Sequence, residues 1–260
     1  LGLSALPSEH YLNVGMLGMH GNYAPNVKTN ECDVLIAVGM RFDDRVTGDL
    51  SRYAKQAKVI HLEIDPSEIN KNVHAHVPVL GDAKESLIEL TKRVKPSVDS
   101  DWLNSFKKLE KIENDKVIQG QLYPTQEELF MGEVVNIVSE ATNHDAVLVT
   151  DVGQHQMIAS RYFKFKQSKS NITSGGLGTM GFALPSALGA KLGNPERTVV
   201  AFIGDGGFQM TLQELGTIVQ ENAEVKIIIL NNNYLGMVRQ WQEMFYGKRY
   251  SETEISSPDF

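Results

Sequence analysis

Short runs of apolar, mostly β-branched residues recur along the chain, and each is followed by a polar or glycine turn and then by an amphipathic stretch. These runs occupy residues 34–38, 59–64, 146–150, 198–203 and 225–230. Continuous apolar strands that alternate with helices are typical of parallel sheets covered by helices on both faces. The sequence therefore predicts an α/β fold with two doubly wound parallel-sheet units, both incomplete.

A change of composition separates the first two runs from the other three. Residues 96–100 (PSVDS) break regular structure, and residues 101–117 form a charged helical pattern that suits a solvated linker helix better than a binding surface. We therefore expect a first domain at residues 1–97, a linker at 98–123 and a second domain at 124–260. The apolar spacing predicts further helices at residues 83–94, 126–139, 184–192 and 212–220.

Charge and cysteine content exclude several classes of function. With 25 Lys and Arg against 32 Asp and Glu, the formal net charge is −7, and no basic stripe suggests a nucleic-acid partner. No apolar run approaches the roughly 18 residues that a membrane helix needs. The single cysteine, Cys32, cannot form a disulfide framework and fits a reducing compartment, so we expect a cytoplasmic protein without a membrane partner.

Both ends of the sequence suggest a piece of a longer protein. The first residue is Leu1, and the opening residues lack the pattern of a signal peptide. The last five residues, SSPDF, place a serine before Pro258, which predicts an N-cap followed by proline at the first position of a helix. We therefore expect further sequence on both sides.

Two turn motifs follow neighbouring predicted strands. Gly204-Asp205-Gly206 ends one strand, and after 24 more residues Asn231-Asn232 ends the next. In an open parallel sheet this edge binds ligands, and a carboxylate and an amide oxygen can hold one side of a Mg²⁺ ion whose other positions take diphosphate oxygens and water. Each motif is also a common turn sequence, so two ordinary turns are the alternative.

A second charged motif, RFDDR, follows the strand at residues 34–38. Its guanidinium groups, on Arg41 and Arg45, would lie at the carboxyl end of that strand, where they could pair with a diphosphate. An ion-pair cluster among the arginines and aspartates of the motif is the alternative.

These motifs and the sequence segments around them resemble the catalytic large subunit of acetolactate synthase, also called acetohydroxyacid synthase, within the thiamine-diphosphate enzymes. The similar segments are GMLGMHGNY (15–23), GMRFDDRVTGD (39–49), DVGQHQM (151–157), TSGGLGTMGFALPSALGA (173–190) and LNNNYLGMVRQWQEMFY (230–246). The resemblance covers nearly all of the chain and is weakest at residues 98–129.

The resemblance implies a subunit of three domains, of which this chain would hold most of the middle FAD-binding domain and the greater part of the C-terminal thiamine-diphosphate-binding domain. The missing N-terminal domain would carry the glutamate that activates the cofactor, so we expect the isolated chain to be inactive. The implied reaction joins two pyruvates, or pyruvate and 2-oxobutyrate, with loss of CO₂, in the biosynthesis of valine and isoleucine. The implied partners are small 2-oxo acids, further copies of the subunit in a dimer or tetramer, and a regulatory small subunit.

The resemblance also assigns residues to three cofactors: thiamine diphosphate, Mg²⁺ and FAD. The metal ligands would be Asp205, Asn232 and the backbone carbonyl of Tyr234, while Asn233 replaces the family's usual Gln or Glu. The catalytic residues would be Gln154, Met237, which props the bent cofactor, and Trp241, at the substrate channel. The thiamine-diphosphate contacts would be Val152, Gly153, Gln154, His155, Gly178, Met180, Gly204, Gly206, Gly207 and Gly236. The FAD contacts would be His20, Gly21, Gly39, Arg41, Asp43, Arg45, Val46, Glu63, Ile64 and Asp82.

Simpler interpretations of several of these residues stay open. His155 could be an ordinary histidine at a helix N-terminus, and Met237 and Trp241 could be core residues. At the level of the whole protein, the alternatives are an enzyme similar to glyoxylate carboligase or to pyruvate oxidase, and a cofactor-binding fragment without catalysis.

Overall fold

The structure, a computed structural model, describes residues 2–97 and 100–260. Val98 and Asp99, with which the expected linker begins, lie outside the described residues, as does Leu1. The chain forms two compact units, one of residues 14–117 and the other of residues 1–13 together with 118–260. The division into domains at 1–97 and 124–260 with a linker at 98–123 stays a proposal.

The unit of residues 14–117 is built on a sheet of three parallel strands in the order β1-β2-β3. Its elements are α1 (Tyr23–Thr29), β1 (Val34–Val38), α2 (Asp44–Thr47), β2 (Lys58–Glu63), β3 (Val77–Leu80), α3 (Ala83–Thr91) and α4 (Ser100–Glu113), after which comes a π-helical turn, Asn114–Ile118.

Only one face of β1 is buried in this unit. Ala37 packs in a core with Phe42, Tyr53 and Val59, whereas the alternate residues Val34, Ile36 and Val38 are 40–47% exposed. We expected both faces to be covered because the strand is continuously apolar. Among the described residues of this unit, no element buries the second face of β1.

The charged helix α4 packs against α1 and is therefore less solvated than its composition suggests. A carboxylate oxygen of the buried Glu113 accepts a hydrogen bond from the backbone N–H of Tyr23 at 3.0 Å. The ammonium group of Lys28 lies 5.1 Å from the centre of the Trp102 ring. These contacts make α4 part of the first unit.

The second unit is built on four parallel strands in the order β5-β4-β6-β7. Its elements are α5 (Gln119–Leu122), α6 (Met131–Ala141), β4 (Val147–Thr150), α7 (Gln154–Tyr162), β5 (Asn171–Thr173), α8 (Ala183–Gly193), β6 (Val199–Gly204), α9 (Asp205–Thr211), α10 (Glu214–Gln220), β7 (Val225–Leu230) and α11 (Gly236–Phe245).

Helices cover both faces of this second sheet. Val149 of β4 packs in a core with Leu184 of α8, whereas its neighbour Leu148 points to the opposite face and packs with Val135 of α6 and Ala159 of α7. Side chains that alternate between two buried faces explain why the strand reads as a continuous apolar run. The predicted α/β fold with parallel sheets is confirmed.

Several local boundaries differ from the predictions, and the short strands β3 and β5 were not predicted. The turn at Asp205 is already the first residue of helix α9, and α6 begins at Met131 rather than at residue 126. Across the part of the chain that the structure describes, we find no helix with the length and apolar content required to cross a membrane.

Candidate cofactor site

The strand order of the second sheet reverses between β4 and β6. Strand β5 lies on one side of β4, and the chain then crosses over to place β6 and β7 on the other side. A reversal of this kind opens a crevice beyond the carboxyl ends of the strands, where ligands bind in open α/β sheets. The segment 151–153 follows β4 and the segment 204–206 ends β6, so both lie at this switch point.

Asp205 is the buried carboxylate of the site, with 2% of its surface exposed. It is the first residue of α9, where the helix dipole favours a negative charge. Its oxygen Oδ2 accepts two hydrogen bonds, from the backbone N–H of Asn233 at 3.1 Å and from the Ser257 hydroxyl at 3.1 Å. The carboxylate is therefore held by the loop after β7 and by Ser257, which lies 52 residues after Asp205 in the chain.

The loop after β7 supplies the other predicted metal ligands. The side-chain oxygen of Asn232 accepts a hydrogen bond from the backbone N–H of Tyr234 at 3.0 Å, which fixes a tight turn between them. An amide oxygen has a second lone pair that can still bind a cation.

The donor set fits a hard divalent cation. One carboxylate, one amide oxygen and one backbone carbonyl are the oxygen ligands that Mg²⁺ takes when waters and phosphates complete its shell. Within residues 2–97 and 100–260, no three His, Cys, Asp or Glu side chains cluster as metal ligands. The described residues thus offer no His- or Cys-based cluster for a softer metal such as zinc.

His155, on the first turn of α7, lies in a tight cleft between two backbone segments. A Cβ built on Gly153 or Gly204 would come within 2.8 or 2.9 Å of its ring carbon Cε1, so neither position has room for a side chain. The ring nitrogen Nε2 is buried and has no hydrogen-bond partner. A buried polar atom without a partner beside the switch point is what a site for a polar ligand requires.

Burial also lowers the pKa of His155 to about 4, because desolvation disfavours the charged imidazolium, while a hydrogen bond with the Asp151 backbone opposes the shift. The folded-state pKa lies below the ordinary 6.5, so between these values the unfolded chain binds more protons. Stability from this group is therefore present above pH 6.5 and is lost as the pH falls toward 4.

We predict that His155→Gln weakens this pH dependence. The wild-type chain should lose on the order of 3 kcal/mol more unfolding free energy than the variant between pH 6.5 and 4, measured by urea unfolding. Asp151, whose pKa is raised by burial, is present in both proteins and cancels in the comparison. His10→Gln, in the same unit, is the control. Equal slopes in the wild type and His155→Gln would contradict the prediction.

Gln154 links α7 to α11. Its amide nitrogen donates to the side-chain oxygen of Gln240 at 3.0 Å. A Cβ on Gly236 would overlap the amide oxygen of Gln154 and lie 3.0 Å from the amide nitrogen of Asn232. The two amide side chains therefore meet the backbone at the start of α11, next to the predicted metal loop.

Most of the predicted thiamine-diphosphate and metal residues line one cavity at the switch point. Those that line it are Val152, Gly153, Gln154, His155, Met180, Gly204, Asp205, Gly206, Gly207, Asn232, Tyr234, Gly236 and Met237. Residues that the sequence analysis did not single out complete the lining: Met131, Leu230, Leu235 and Val238. The roles of these residues stay predictions.

Two predicted residues do not line this cavity. Gly178 is exposed, with a positive φ of 64°. Trp241 lies further along α11, where it contacts Phe245 at 4.7 Å between ring centres and lines a separate depression.

Two polar residues of the site, Asp151 and Ser257, were also missed by the sequence analysis. Asp151 is fully buried and accepts a hydrogen bond from the Phe182 backbone N–H at 2.9 Å, which ties the end of β4 to the start of α8. Ser257 donates to Asp205. Asp151 could have been found from the sequence, because it is an acidic residue directly after a predicted strand. Nothing in the local sequence connects Ser257 to Asp205.

The RFDDR motif in the first unit forms ion pairs within itself. Arg41 lies 3.4 Å from Asp43, and Arg45 lies 2.8 Å from Asp44, with all four side chains at least 38% exposed. The ion-pair alternative is therefore present in the structure. Because exposed pairs contribute little to stability, both guanidinium groups could turn to an anionic ligand at low cost.

Three of the other predicted FAD residues accept hydrogen bonds from backbone N–H groups of the first unit. Asp43 and Asp82 cap the helices α2 and α3, and the buried Glu63 accepts hydrogen bonds from the backbone N–H groups of the two residues that follow it. Gly21 has no room for a side chain beside the backbone of Met16. The remaining predicted contacts in this unit are His20, Gly39, Val46 and the exposed Ile64.

Comparison with known proteins finds two matching parts of the chain. Residues 1–90 match the family described as thiamine pyrophosphate enzyme, central domain, and residues 151–260 match thiamine pyrophosphate enzyme, C-terminal TPP binding domain. The chain is 44% identical over 262 residues to the acetolactate synthase large subunit of Lactococcus lactis subsp. lactis, with 100% of the chain and 45% of the relative covered.

Two further relatives agree with this result. The acetolactate synthase isozyme 3 large subunit of Escherichia coli K12 and the acetolactate synthase large subunit of Buchnera aphidicola are each 44% identical over 265 residues, covering 100% of the chain and 46% of the relative. The chain thus spans less than half the length of these relatives. From its two matched domains, the chain belongs to the thiamine pyrophosphate enzymes and is similar to their acetolactate synthase large subunits.

Proposed function

We propose that the protein containing this chain is the catalytic subunit of an acetolactate synthase. It would condense two pyruvates, or pyruvate and 2-oxobutyrate, to a 2-aceto-2-hydroxy acid with loss of CO₂. The observation that carries the proposal is the crevice between β4 and β6, where the buried Asp205 and the unpartnered Nε2 of His155 meet the loop of Asn232 and Tyr234. The similarity to acetolactate synthase large subunits supplies the reaction.

The residues of the crevice would divide the work of holding the cofactor. Asp205, Asn232 and the Tyr234 carbonyl would hold Mg²⁺, and the ion would neutralise the diphosphate of the cofactor. A phosphate oxygen near Nε2 of His155 would favour the protonated ring, which can donate a hydrogen bond. Thiamine diphosphate, when bound, supplies carbanion chemistry that ordinary side chains lack.

Met237 would act by shape. It lies in the cavity lining one residue into α11, and its flexible apolar side chain can fill an irregular space against a ligand. The apolar lining from Leu230, Leu235 and Val238 would keep water away from the reacting atoms.

Product analysis of the full-length protein tests the proposal. With thiamine diphosphate, Mg²⁺ and FAD, pyruvate should give 2-acetolactate and CO₂. Tartronate semialdehyde from glyoxylate would instead indicate the glyoxylate carboligase alternative. Reduction of bound FAD in step with pyruvate consumption would indicate the pyruvate oxidase alternative.

The first unit would bind FAD in a structural role. Arg41 and Arg45 are the candidates for its diphosphate, because each can leave an exposed aspartate partner for a doubly charged ligand. Glu63 is the candidate for a ribose hydroxyl at the end of β2.

We predict that Arg41→Ala weakens FAD retention. Loss of a charge-assisted hydrogen bond to a phosphate should raise the dissociation constant about tenfold or more, measured from the fluorescence of released flavin. Arg52→Ala, which removes an arginine of the same unit outside the predicted contacts, is the control. An unchanged dissociation constant for Arg41→Ala would count against this placement of FAD.

The assembly and location of the protein follow from the same proposal. We infer a homodimer or larger homo-oligomer with a smaller regulatory subunit, since the relatives are named as large subunits. A cytoplasmic location suits the single cysteine, Cys32.

A further inference from the structure

The segment of residues 250–257, which we call the C-terminal strap, lies along the predicted metal loop. The backbone N–H of Leu235 donates to the carbonyl of Thr253 at 2.7 Å, and the N–H of Ile255 donates to the carbonyl of Asn233 at 2.9 Å. Tyr234 and Glu254 form an antiparallel bridge between these two bonds. The strap is thus hydrogen-bonded to the residues on either side of the Tyr234 carbonyl.

Side chains from α11 fasten the other end of the strap. The guanidinium of Arg239 lies 4.4 Å from the ring centre of Tyr234 and 4.1 Å from that of Tyr250, so it joins the metal loop to the strap. The Gln242 side chain hydrogen-bonds both the N–H and the carbonyl of Ser251. These contacts fix the position of the strap relative to the metal ligands.

At its end the strap delivers one hydroxyl group to Asp205. The Ser257 oxygen lies 3.1 Å from Oδ2 of Asp205 and 3.3 Å from the amide nitrogen of Gln209. An amide nitrogen can only donate, so the hydroxyl oxygen accepts from Gln209 and its own proton is directed to the carboxylate. The direction of both hydrogen bonds is therefore determined.

The hydrogen bonds to Oδ2 limit how Asp205 can bind a cation. Its Oδ2 already accepts from Asn233 and from Ser257, which uses both lone pairs of that oxygen. Oδ1 would then be the ligating oxygen, and the carboxylate would hold a cation through that oxygen only. Mg²⁺ needs six compact ligands in an octahedron, whereas the larger Ca²⁺ takes six to eight and often binds a carboxylate through both oxygens.

We propose that Ser257 is a positioning residue that restricts Asp205 to one ligating oxygen and thereby favours Mg²⁺ over Ca²⁺. The inference rests on the proposed function, because it takes the cation site as given. Ser257 itself would touch neither the metal nor the cofactor and would act only through the Asp205 carboxylate.

Calorimetric titration of the full-length protein with MgCl₂ and with CaCl₂, in the presence of thiamine diphosphate, tests the proposal. In Ser257→Ala, the ratio of the Ca²⁺ dissociation constant to the Mg²⁺ dissociation constant should fall roughly tenfold, as expected for loss of a hydrogen bond to a charged group. Ser257→Thr keeps the hydroxyl and should restore the wild-type ratio. Ser256→Ala, at an exposed neighbouring position, is the matched control.

The outcomes separate this proposal from the proposed function. If Ser257→Ala binds both ions with wild-type constants, or loses affinity for both equally, Ser257 does not set the selectivity and the inference is overturned. If the wild-type protein binds neither ion, the cation site itself is wrong and the proposed function falls with it. Thermal unfolding of each variant confirms that the compared proteins are folded.

Discussion

Replacing Asp205 with alanine is expected to remove Mg²⁺-dependent binding of thiamine diphosphate. Asp205 is the only carboxylate among the predicted metal ligands, and it is 2% exposed. Without it the cation would lose its charged ligand, and the diphosphate would enter the crevice without a neutralising ion. We expect the apparent dissociation constant of the cofactor to rise roughly a hundredfold or more.

Equilibrium binding of thiamine diphosphate at several Mg²⁺ concentrations measures this effect in the full-length protein. The wild type should bind more tightly as Mg²⁺ rises, whereas Asp205→Ala should show weak binding that does not depend on Mg²⁺. Glu221→Ala removes an exposed carboxylate of the same unit and should behave as the wild type. Wild-type affinity in Asp205→Ala would refute the assignment of the metal site.

The second large effect is expected on stability, from Gly207→Ala. A Cβ at this position in α9 would overlap the carboxylate oxygen Oδ2 of Asp151. Asp151 is fully buried and its other oxygen is held by the Phe182 backbone N–H, so it cannot move aside without losing that hydrogen bond. Overpacking and loss of the bond together should lower the unfolding free energy by about 3–5 kcal/mol.

Urea unfolding of the wild type and of two alanine variants measures this loss. Gly189→Ala is the matched control, because Gly189 lies within helix α8 and nothing is within 4 Å of the position that its Cβ would take. It should be stabilised by about 0.5–1 kcal/mol, since alanine has the higher helix propensity. Wild-type stability of Gly207→Ala would show that the carboxylate can shift at little cost.

A double variant identifies the contact responsible. Asp151→Ala on its own removes a buried hydrogen bond and should destabilise the second unit, yet it also removes the atom that the new Cβ would meet. The loss in Asp151→Ala/Gly207→Ala should therefore be smaller than the sum of the two single losses. If the two single losses of unfolding free energy add exactly in the double variant, the destabilisation by Gly207→Ala does not arise from contact with Asp151.

Three of the four strands of the second sheet could be predicted from the sequence because they are continuous apolar runs, whereas the three-residue strand β5 was not predicted. The apolar runs at residues 146–150, 198–203 and 225–230 correspond to β4, β6 and β7 within one or two residues. Since parallel strands share one ligand-binding edge, the sequence alone predicts that Asp205 and Asn232, in the motifs that follow two of these strands, lie close together. The structure places both residues in the lining of one cavity.

Residues far apart in the chain could not be paired in this way. The segment SSPDF has the pattern of a helix start, and nothing in that pattern indicates that the Ser257 hydroxyl donates to Asp205, 52 residues earlier in the chain. A serine hydroxyl can satisfy a helix N-terminus or a carboxylate equally well, so its partner depends on what the fold brings near it.

Sequence alone thus determined the α/β alternation, three of the four strands of the second sheet and the residue types of the predicted metal loop, because these follow from local periodicity and from motifs at strand ends. Tertiary structure decided what depends on packing across the chain. The exposure of Val34 and Ile36 on β1, the burial of His155 that lowers its pKa, and the placement of Asp151 against Gly207 are of this kind. Each arises from atoms distant in sequence that exclude water or share a volume, and no local pattern records such a contact.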